Sequence, residues 1–258
     1  MMQFIETIFT WHLIGYGTGV LLMILQARLF FLSLSFYWHN SASHKLFTIV
    51  PWLEHFIRFW QWINSTIWYQ GHLTKFTAEH RMHHIYTDTD RDPVSPHRFT
   101  LLQLWTYEQR PGAARYVSPE EIEQYGDPTV EPNDPATMFY KRHQFRGIWI
   151  SVAIWTILLG PVGLILSRLM PLFNQYYGTL IGDWIVHKVG WKHPASKGEA
   201  RNLLPVVITE GLHSNHHVYP NRLNKAVRWF EIDLFYYFCV VLSWIKIIKF
   251  TNKGKSNN

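Results

Sequence analysis

The sequence predicts an all-α integral membrane protein in which three to four transmembrane helices carry a cytoplasmic helical cap. Three observations predict it: long uncharged apolar stretches, 17% aromatic against 16% charged residues in 258, and cations confined to certain segments. The composition excludes disordered, collagen-like and coiled-coil proteins, which hold far fewer aromatics. A single membrane-bound domain over residues 1–258 is therefore expected. Cys239 is the one cysteine, which excludes a disulfide scaffold, a thiolate zinc site and an intrinsic iron–sulfur cluster. The net charge of +6 is not gathered into a Lys/Arg block, so a bilayer explains it better than nucleic acid, and no nucleic-acid partner is expected.

The first span lies between Glu6 and Arg28, about residues 7–27, and can cross roughly 30 Å of hydrocarbon. It lacks a basic leader and a small-residue cleavage site, so it reads as a retained anchor. Gly15, Gly17 and Gly19 miss the spacing of a dinucleotide loop and suit close helix packing instead. The uncharged stretch from Leu29 to Ser43 continues this helix about 20 Å past the membrane at 1.5 Å per residue. Residues 46–74, with Trp52, Trp60, Trp62 and Trp68 among Glu54, His55 and Arg58, read as helices lying against the headgroups. Between Glu108 and Met138, residues such as Pro111, Gly112, Pro119, Pro128, Pro132 and Pro135 mark a loop-rich connector. Two further spans, about 147–167 and 169–187, form a hairpin turning around Ser167, Arg168 and Pro171. The apolar run from Phe235 to Ile245 is too short to span and reads as interfacial, and the tail after Phe250 is polar and frayed. No cation precedes Arg28 and Arg168 is the only one in the hairpin turn, while ten fall between His39 and His143 and eleven follow His187. The segments of about 39–143 and 188–258 are therefore cytoplasmic.

Eight of the 15 histidines fall in three clusters: His39 and His44 in HNSASH, His80, His83 and His84 in HRMHH, and His213, His216 and His217 in HSNHH. In the last two, offsets of three and four put every imidazole on one helix face, where they can converge on metal. His39 and His44 are five apart, out of register on a regular α-helix, and with Asn40, Ser41 and Ser43 between them the helix should unwind or end there. His187 is a ninth candidate at the cytoplasmic end of the third span, with Asp183 four residues before it. Neutral imidazole suits iron, zinc or copper, and eight or nine nitrogens exceed what one ion uses, so the cap should hold a histidine-rich dimetal site. His12, His55, His72, His97, His143 and His193 read as ordinary structural histidines. Glu210 reads either as a general base or as a partner that orients an imidazole.

These boxes resemble those of the membrane fatty acid desaturases, in particular the stearoyl-CoA and acyl-lipid delta-9 group, over most of the chain from His39 to about Asp233. HNSASHK resembles the family's H-x4-H box, EHRMHHIYTDTDRDP its H-x-x-H-H box with the trailing acid and Asp-Pro, and EGLHSNHHVYP its third box; RWFEIDL is similar to the segment that follows. The resemblance implies two Fe ions held by His39, His44, His80, His83, His84, His187, His213, His216 and His217, with no catalytic residue beyond the ligands. The family's remaining position, an asparagine reaching one iron through water, falls on Asp183, whose carboxylate could contact iron directly or through water. Where the animal CoA enzymes resemble one another in an Arg-Asp pair, this chain has Ala78 and Glu79. The third box opens on His213 rather than Gln, unlike the front-end desaturases, and no His-Pro-Gly-Gly motif is fused.

The function implied is O2-dependent formation of a cis double bond, delta-9 favoured, in an acyl chain carried on CoA or lipid. An unactivated methylene has no acidic proton and no leaving group, so a cofactor must supply the oxidant. With no flavin, nicotinamide, haem or thiol-cluster motif in the sequence, electrons are expected from an external donor: a ferredoxin, a rubredoxin or a cytochrome b5-type protein. The compact chain favours a bacterial inner membrane over the endoplasmic reticulum. A related membrane diiron hydroxylase of acyl chains is the nearest alternative, and a non-enzymatic histidine-rich metal transporter the alternative of a different class.

Overall fold

The computed structural model describes the backbone of residues 2–64, 73–106, 110–127, 134–203 and 210–255, with side chains from residue 17 apart from Met23 and Lys255. Trp68, His72, Pro128, Pro132, the side chain of His12 and the surroundings of Gly15 lie outside the described residues.

The described chain is mostly helical. Helix α1 (Met2–Ser33) runs directly into a π-helical stretch, Leu34–Ser43, and β1 (Phe47–Ile49) follows. Next come α2 (Pro51–Asn64), α3 (Leu73–Tyr86), α4 (Leu101–Trp105), α5 (Pro119–Tyr125) and α6 (Pro135–Arg142). Helix α7 (Gln144–Gly178) continues through a π-helical stretch, Thr179–Trp184, into a 3₁₀ turn, Ile185–His187. After α8 (His213–Val218) and α9 (Leu234–Trp244) the chain ends in β2 (Ile248–Phe250) and α10 (Asn252–Lys255). The strands are an addition to the expected all-helical fold: they pair antiparallel, Phe47 with Phe250 and Ile49 with Ile248. Of the segment after Phe250 that reads from sequence as a frayed tail, the described residues 251–255 are ordered, the Thr251 amide donating to the Leu46 carbonyl at 3.0 Å ahead of α10; residues 256–258 lie outside the described residues.

Two helices among the described residues, Gly17–Ser43 and Gln144–His187, are long and apolar enough to cross a membrane. The second is not straight. At Gly160 the backbone turns to φ +59°, ψ −142°, a region open in practice only to glycine, and Pro161, with its fixed φ, restarts the helix. Residues at both ends then return to the same level. Gly147 lies against Trp62 at the end of α2, and the Asn174 amide donates to the Asn64 carbonyl at 3.2 Å in that same place. The hairpin expected from sequence is present, but its turn is at Gly160 rather than at Ser167–Pro171. Ser167 lies inside the returning arm, where its hydroxyl is satisfied by the Leu164 carbonyl at 2.7 Å, so a serine next to arginine does not mark a turn here. The arms close tightly: a Cβ on Gly163 would sit 1.7 Å from the Trp155 carbonyl oxygen, whereas one on Gly17 would touch nothing. Gly163→Ala is therefore expected to cost about 1–3 kcal/mol and to lower the thermal midpoint in detergent by several degrees. Gly17→Ala, the control, should leave it in place.

Beside the hairpin, α1 brings Gly19 against Leu166 and Val162. Helix α2 exposes Trp52, Phe56 and Phe59 while burying Ile57, Trp62 and Ile63. Helix α9 buries Phe235 and Cys239 against Phe36 and Phe47 and exposes Tyr237, Val241 and Trp244. The connector read as loop holds two capped helices. Ser118 forms a reciprocal capping box with Glu121 ahead of Pro119, and Asp134 accepts from the Ala136 and Thr137 amides ahead of Pro135. Proline at the first helical position starts a helix rather than breaking it, because that amide has no intrahelical partner to lose.

Candidate metal centre

The first box sits on the π-helical stretch that prolongs α1. As expected, the regular α-helix does not run through this box: it widens into a π-helix that ends at Ser43, and the His44 amide donates to the His39 carbonyl at 3.1 Å, an i to i−5 bond. Residues five apart thus stand one turn above the other, which brings His39 and His44 to the same side. Two polar side chains hold the wider turn by donating to carbonyls five residues back: Asn40 Nδ2 to Ser35 at 2.7 Å and Ser43 Oγ to Trp38 at 2.7 Å. The second box occupies the last turns of α3 and the third box is α8 itself. His187 closes the 3₁₀ turn after α7.

Nine histidines converge in two groups, and neither three-histidine box stays together. One group is His39, His44, His80, His84 and His216, and the other is His83, His187, His213 and His217; within each, one ligand atom per residue lies within 4.8 Å of the rest. Nε2 atoms face one another at hydrogen-bond distance: His39 and His216 at 2.9 Å, His44 and His80 at 2.7 Å, His187 and His213 at 3.0 Å, His217 and His213 at 3.0 Å.

The opposite ring nitrogens are held from outside. His39 Nδ1 meets Glu210 Oε1 at 2.9 Å, His83 Nδ1 meets Asp92 Oδ2 at 2.9 Å, and His187 Nδ1 meets Asp88 Oδ2 at 3.1 Å. The Thr87 hydroxyl donates to the His83 carbonyl at 2.6 Å, which frees its oxygen to accept from His217 Nδ1 at 3.1 Å. Each such contact places the imidazole proton on Nδ1 and leaves a lone pair on Nε2. In the four-histidine group, His187 and His217 then aim bare Nε2 atoms at His213, and at most one proton is available to the three. A cation resolves that crowding of lone pairs, so the residues fit a bound metal in each group. Electrostatics agree. Burial holds His44, His80, His84, His216 and His217 well below the ordinary imidazole range, and His213 down at about 3, so these rings are neutral donors at physiological pH. Burial alone would lower His83 too, but the adjacent Asp92 carboxylate raises it on balance.

Glu210 takes the second of its two readings. Besides His39, it accepts from Ser35 Oγ at 2.8 Å, and its other oxygen is 3.7 Å from His213 Nδ1, beyond hydrogen-bond range but adjacent to the second group. His39 and Lys225 hold its carboxyl well below the usual range although burial opposes this. Glu210→Ala is expected to weaken metal retention about 10- to 100-fold, with Glu210→Gln intermediate. Metal content after graded chelator dialysis measures it.

Asp183 belongs to neither group. Its carboxylate pairs with Arg115, whose guanidinium also donates to Glu79 Oε1 at 2.7 Å, Thr179 Oγ1 at 3.2 Å and the Leu104 carbonyl at 2.8 Å. Asp183 and His187 are not stacked on one regular helix face, because the backbone between them changes from π-helical to 3₁₀. Sequence reasoning assigned no role to Arg115, Asp88 or Asp92. The two acids carried a faint signal as the TDTDRDP trail of the second box, whereas Arg115 stands in a proline- and glycine-rich loop with none.

A single cavity reaches both groups. His39 and His80 of the first and His83 and His213 of the second line it, together with Phe30, Phe31, Leu34 and Phe76 on one side and Glu79, Arg115 and Asp183 on another. Of the histidines read as structural, His97 joins neither group; its Nε2–H donates to the His187 carbonyl at 3.2 Å.

No family model matches the chain. Curated relatives do. The chain is 28% identical over 239 residues to the Delta-9 desaturase-like 4 protein of Arabidopsis thaliana, covering 89% of this chain and 73% of that protein. It is 26% identical over 257 residues to the sn-1 stearoyl-lipid 9-desaturase of Synechocystis sp., covering 96% and 74%. With the sn-1 stearoyl-lipid 9-desaturase of Anabaena variabilis the identity is 25% over 240 residues, covering 91% and 82%. These relatives support the desaturase family and a fatty acid desaturase enzyme, an oxidoreductase of lipid metabolism, and with the two apolar helices they support membrane association.

Proposed function

We propose that this chain is an O2-dependent acyl desaturase that inserts a cis double bond, delta-9 favoured, into a chain carried on lipid or CoA. The observation that carries the reading is the pair of buried histidine groups, five and four, opening on one cavity with an apolar aromatic wall. His39, His44, His80, His84 and His216 would hold one iron, and His83, His187, His213 and His217 the other. Two irons, when bound, supply the O2-derived oxidant that an unactivated methylene pair requires. The rest is positioning by the protein. Asp88, Asp92 and Glu210 fix ring orientation through Nδ1, and burial keeps His44, His80, His84, His213, His216 and His217 unprotonated and able to bind metal. Phe30, Phe31, Leu34 and Phe76 offer an apolar surface for acyl carbons and exclude water. Asp183, engaged by Arg115, would have to leave that ion pair to ligate metal directly; an oriented role through water is compatible with it.

In this reading α1 and both arms of α7 cross the bilayer, the histidine groups face the cytoplasm, and a bacterial inner membrane is favoured. Electrons come from a separate carrier of the ferredoxin, rubredoxin or cytochrome b5 type. The test is gas chromatography of total fatty acids from a desaturase-deficient host, with double-bond positions assigned by mass spectrometry. A new monoene that disappears with His83→Ala is expected. A hydroxy acid in its place would transfer the chain to the hydroxylases, and metal exchange without O2 uptake to the transporters.

A further inference from the structure

We infer that the face formed by the 87–98 loop, the 188–201 loop and the 219–230 segment is the docking site of a small acidic one-electron carrier protein, an inference that rests on the desaturase reading. Contacts stitch these segments into one surface over the third box. Gly198 lies against Thr87, the Glu199 amide donates to Asp88 at 2.7 Å, and the Lys188 ammonium is 3.5 Å from His97. The rings of His193 and Tyr219, and of Trp191 and Phe230, join the second segment to the third at 5.6 and 5.7 Å.

Charge on this surface is one-sided. Arg91, Arg98, Lys188, Lys197 and Arg228 are exposed and Arg222 half-buried. Among the described acids of the same segments, Asp90 is exposed and Glu199 half-buried, and Glu199 is already paired with both Lys192 and Arg201. Asp88, Asp92 and Glu231 are turned inward to His187, His83 and Asn215. The surplus of cations attracts an acidic partner and speeds its encounter.

Position argues for a protein rather than a lipid headgroup. At 1.5 Å per residue the returning arm from Pro161 to His187 is about 40 Å long, against roughly 30 Å of hydrocarbon. The surface is built on the continuation of that arm: its second segment follows His187 directly, and Asp88 and His97 of its first segment contact His187. It also has a short inward route. Trp229 is 96% exposed, its ring lies 5.7 Å from Phe230, and Phe230 lies 5.7 Å from Trp191. Trp191 Nε1 donates to Glu231 at 3.0 Å, and Glu231 accepts at 2.7 Å from Asn215, which stands in α8 between His213 and His216.

The electrons balance with such a partner. Per double bond, O2 accepts four electrons: two leave the substrate with the hydrogens of two C–H bonds, and two come singly from two carrier molecules, each oxidised by one. Two protons from water complete two H2O.

The experiment uses the full chain in nanodiscs, wild type and a Lys197→Glu/Arg222→Glu/Arg228→Glu variant, titrated at low and high salt with a ferredoxin, a rubredoxin and soluble cytochrome b5. At least one carrier should bind the wild type, more weakly at high salt, and the variant should bind it at least tenfold more weakly with unchanged metal content. The inference falls if none of the three binds, if the variant binds as the wild type does, or if amide exchange shows the face protected by phosphatidylglycerol in the disc rather than by a carrier. Carrier binding lost in the variant while the wild type makes no alkene keeps the docking face and removes the desaturase reading. Alkene formed with the carrier at equal rates by both proteins does the reverse.

Discussion

His216→Ala is expected to abolish product formation, to below about one part in a hundred of wild type, while the protein still inserts and folds. The physical ground is the place of this ring at the junction of two boxes: it is fully buried, and its Nε2 stands 2.9 Å from that of His39. Removing it takes one donor from the five-histidine group and leaves the other four with a gap where the third box met the first. Loss of even an orienting partner outside a metal site typically costs 10- to 100-fold in affinity or activity, and loss of the donor itself costs more. Metal analysis of the purified variant, beside wild type and a His55→Ala control that lies in neither group, is the measurement. A fully active His216 variant with its metal retained would remove this ring from the ligand set.

The second large effect is on stability. Arg115→Met is expected to destabilise the protein by about 3–5 kcal/mol, because it strands two carboxylates beside the cavity. Arg115 is buried at 5% exposure with φ +60°, an unusual backbone conformation for a non-glycine residue. Its backbone is fixed as firmly as its side chain: the amide donates to the Pro93 carbonyl at 2.7 Å, and its own carbonyl accepts from Lys75 at 3.1 Å. Glu79 is fully buried against it, and burial already pushes that carboxyl up even with Arg115 and Lys75 opposing. The expected readout is a thermal midpoint in detergent lowered by about 10 °C. Adding Glu79→Gln and Asp183→Asn should recover part of it by removing the uncompensated charges. A midpoint equal to wild type would show that the ion cluster contributes nothing net.

Asp183 shows how far a motif position can be read. By resemblance it takes the place of an asparagine near iron, and the acid in that place stands out as a departure. The structure supplies its counter-charge, Arg115, from a loop 68 residues earlier. Nothing local in the sequence announces that partner, because the two residues share no helix face and meet only when the 110–117 loop folds against the end of α7. Glu210 is an intermediate case. Its sequence position left open both its role and which imidazole it would orient, and its hydrogen bond goes to His39, on the far side of the chain order.

The sequence by itself determined that the chain is helical and apolar in long stretches and that eight histidines fall in three boxes with His187 as a ninth candidate. These are consequences of short-range periodicity, since offsets of three and four define a helix face wherever the helix goes. Even the H-x4-H box was legible once a wider turn is allowed, because five residues is the repeat of the i to i−5 bond. Only the tertiary structure decided that the hairpin turns at Gly160, that each three-histidine box divides between two groups, and which acid holds which ring. These outcomes depend on backbone torsion at one glycine and on the way α3 and α8 present their faces to each other. A box written as three neighbours in sequence spreads over about one helical turn, or 5.4 Å, wide enough for adjacent imidazoles to reach different groups.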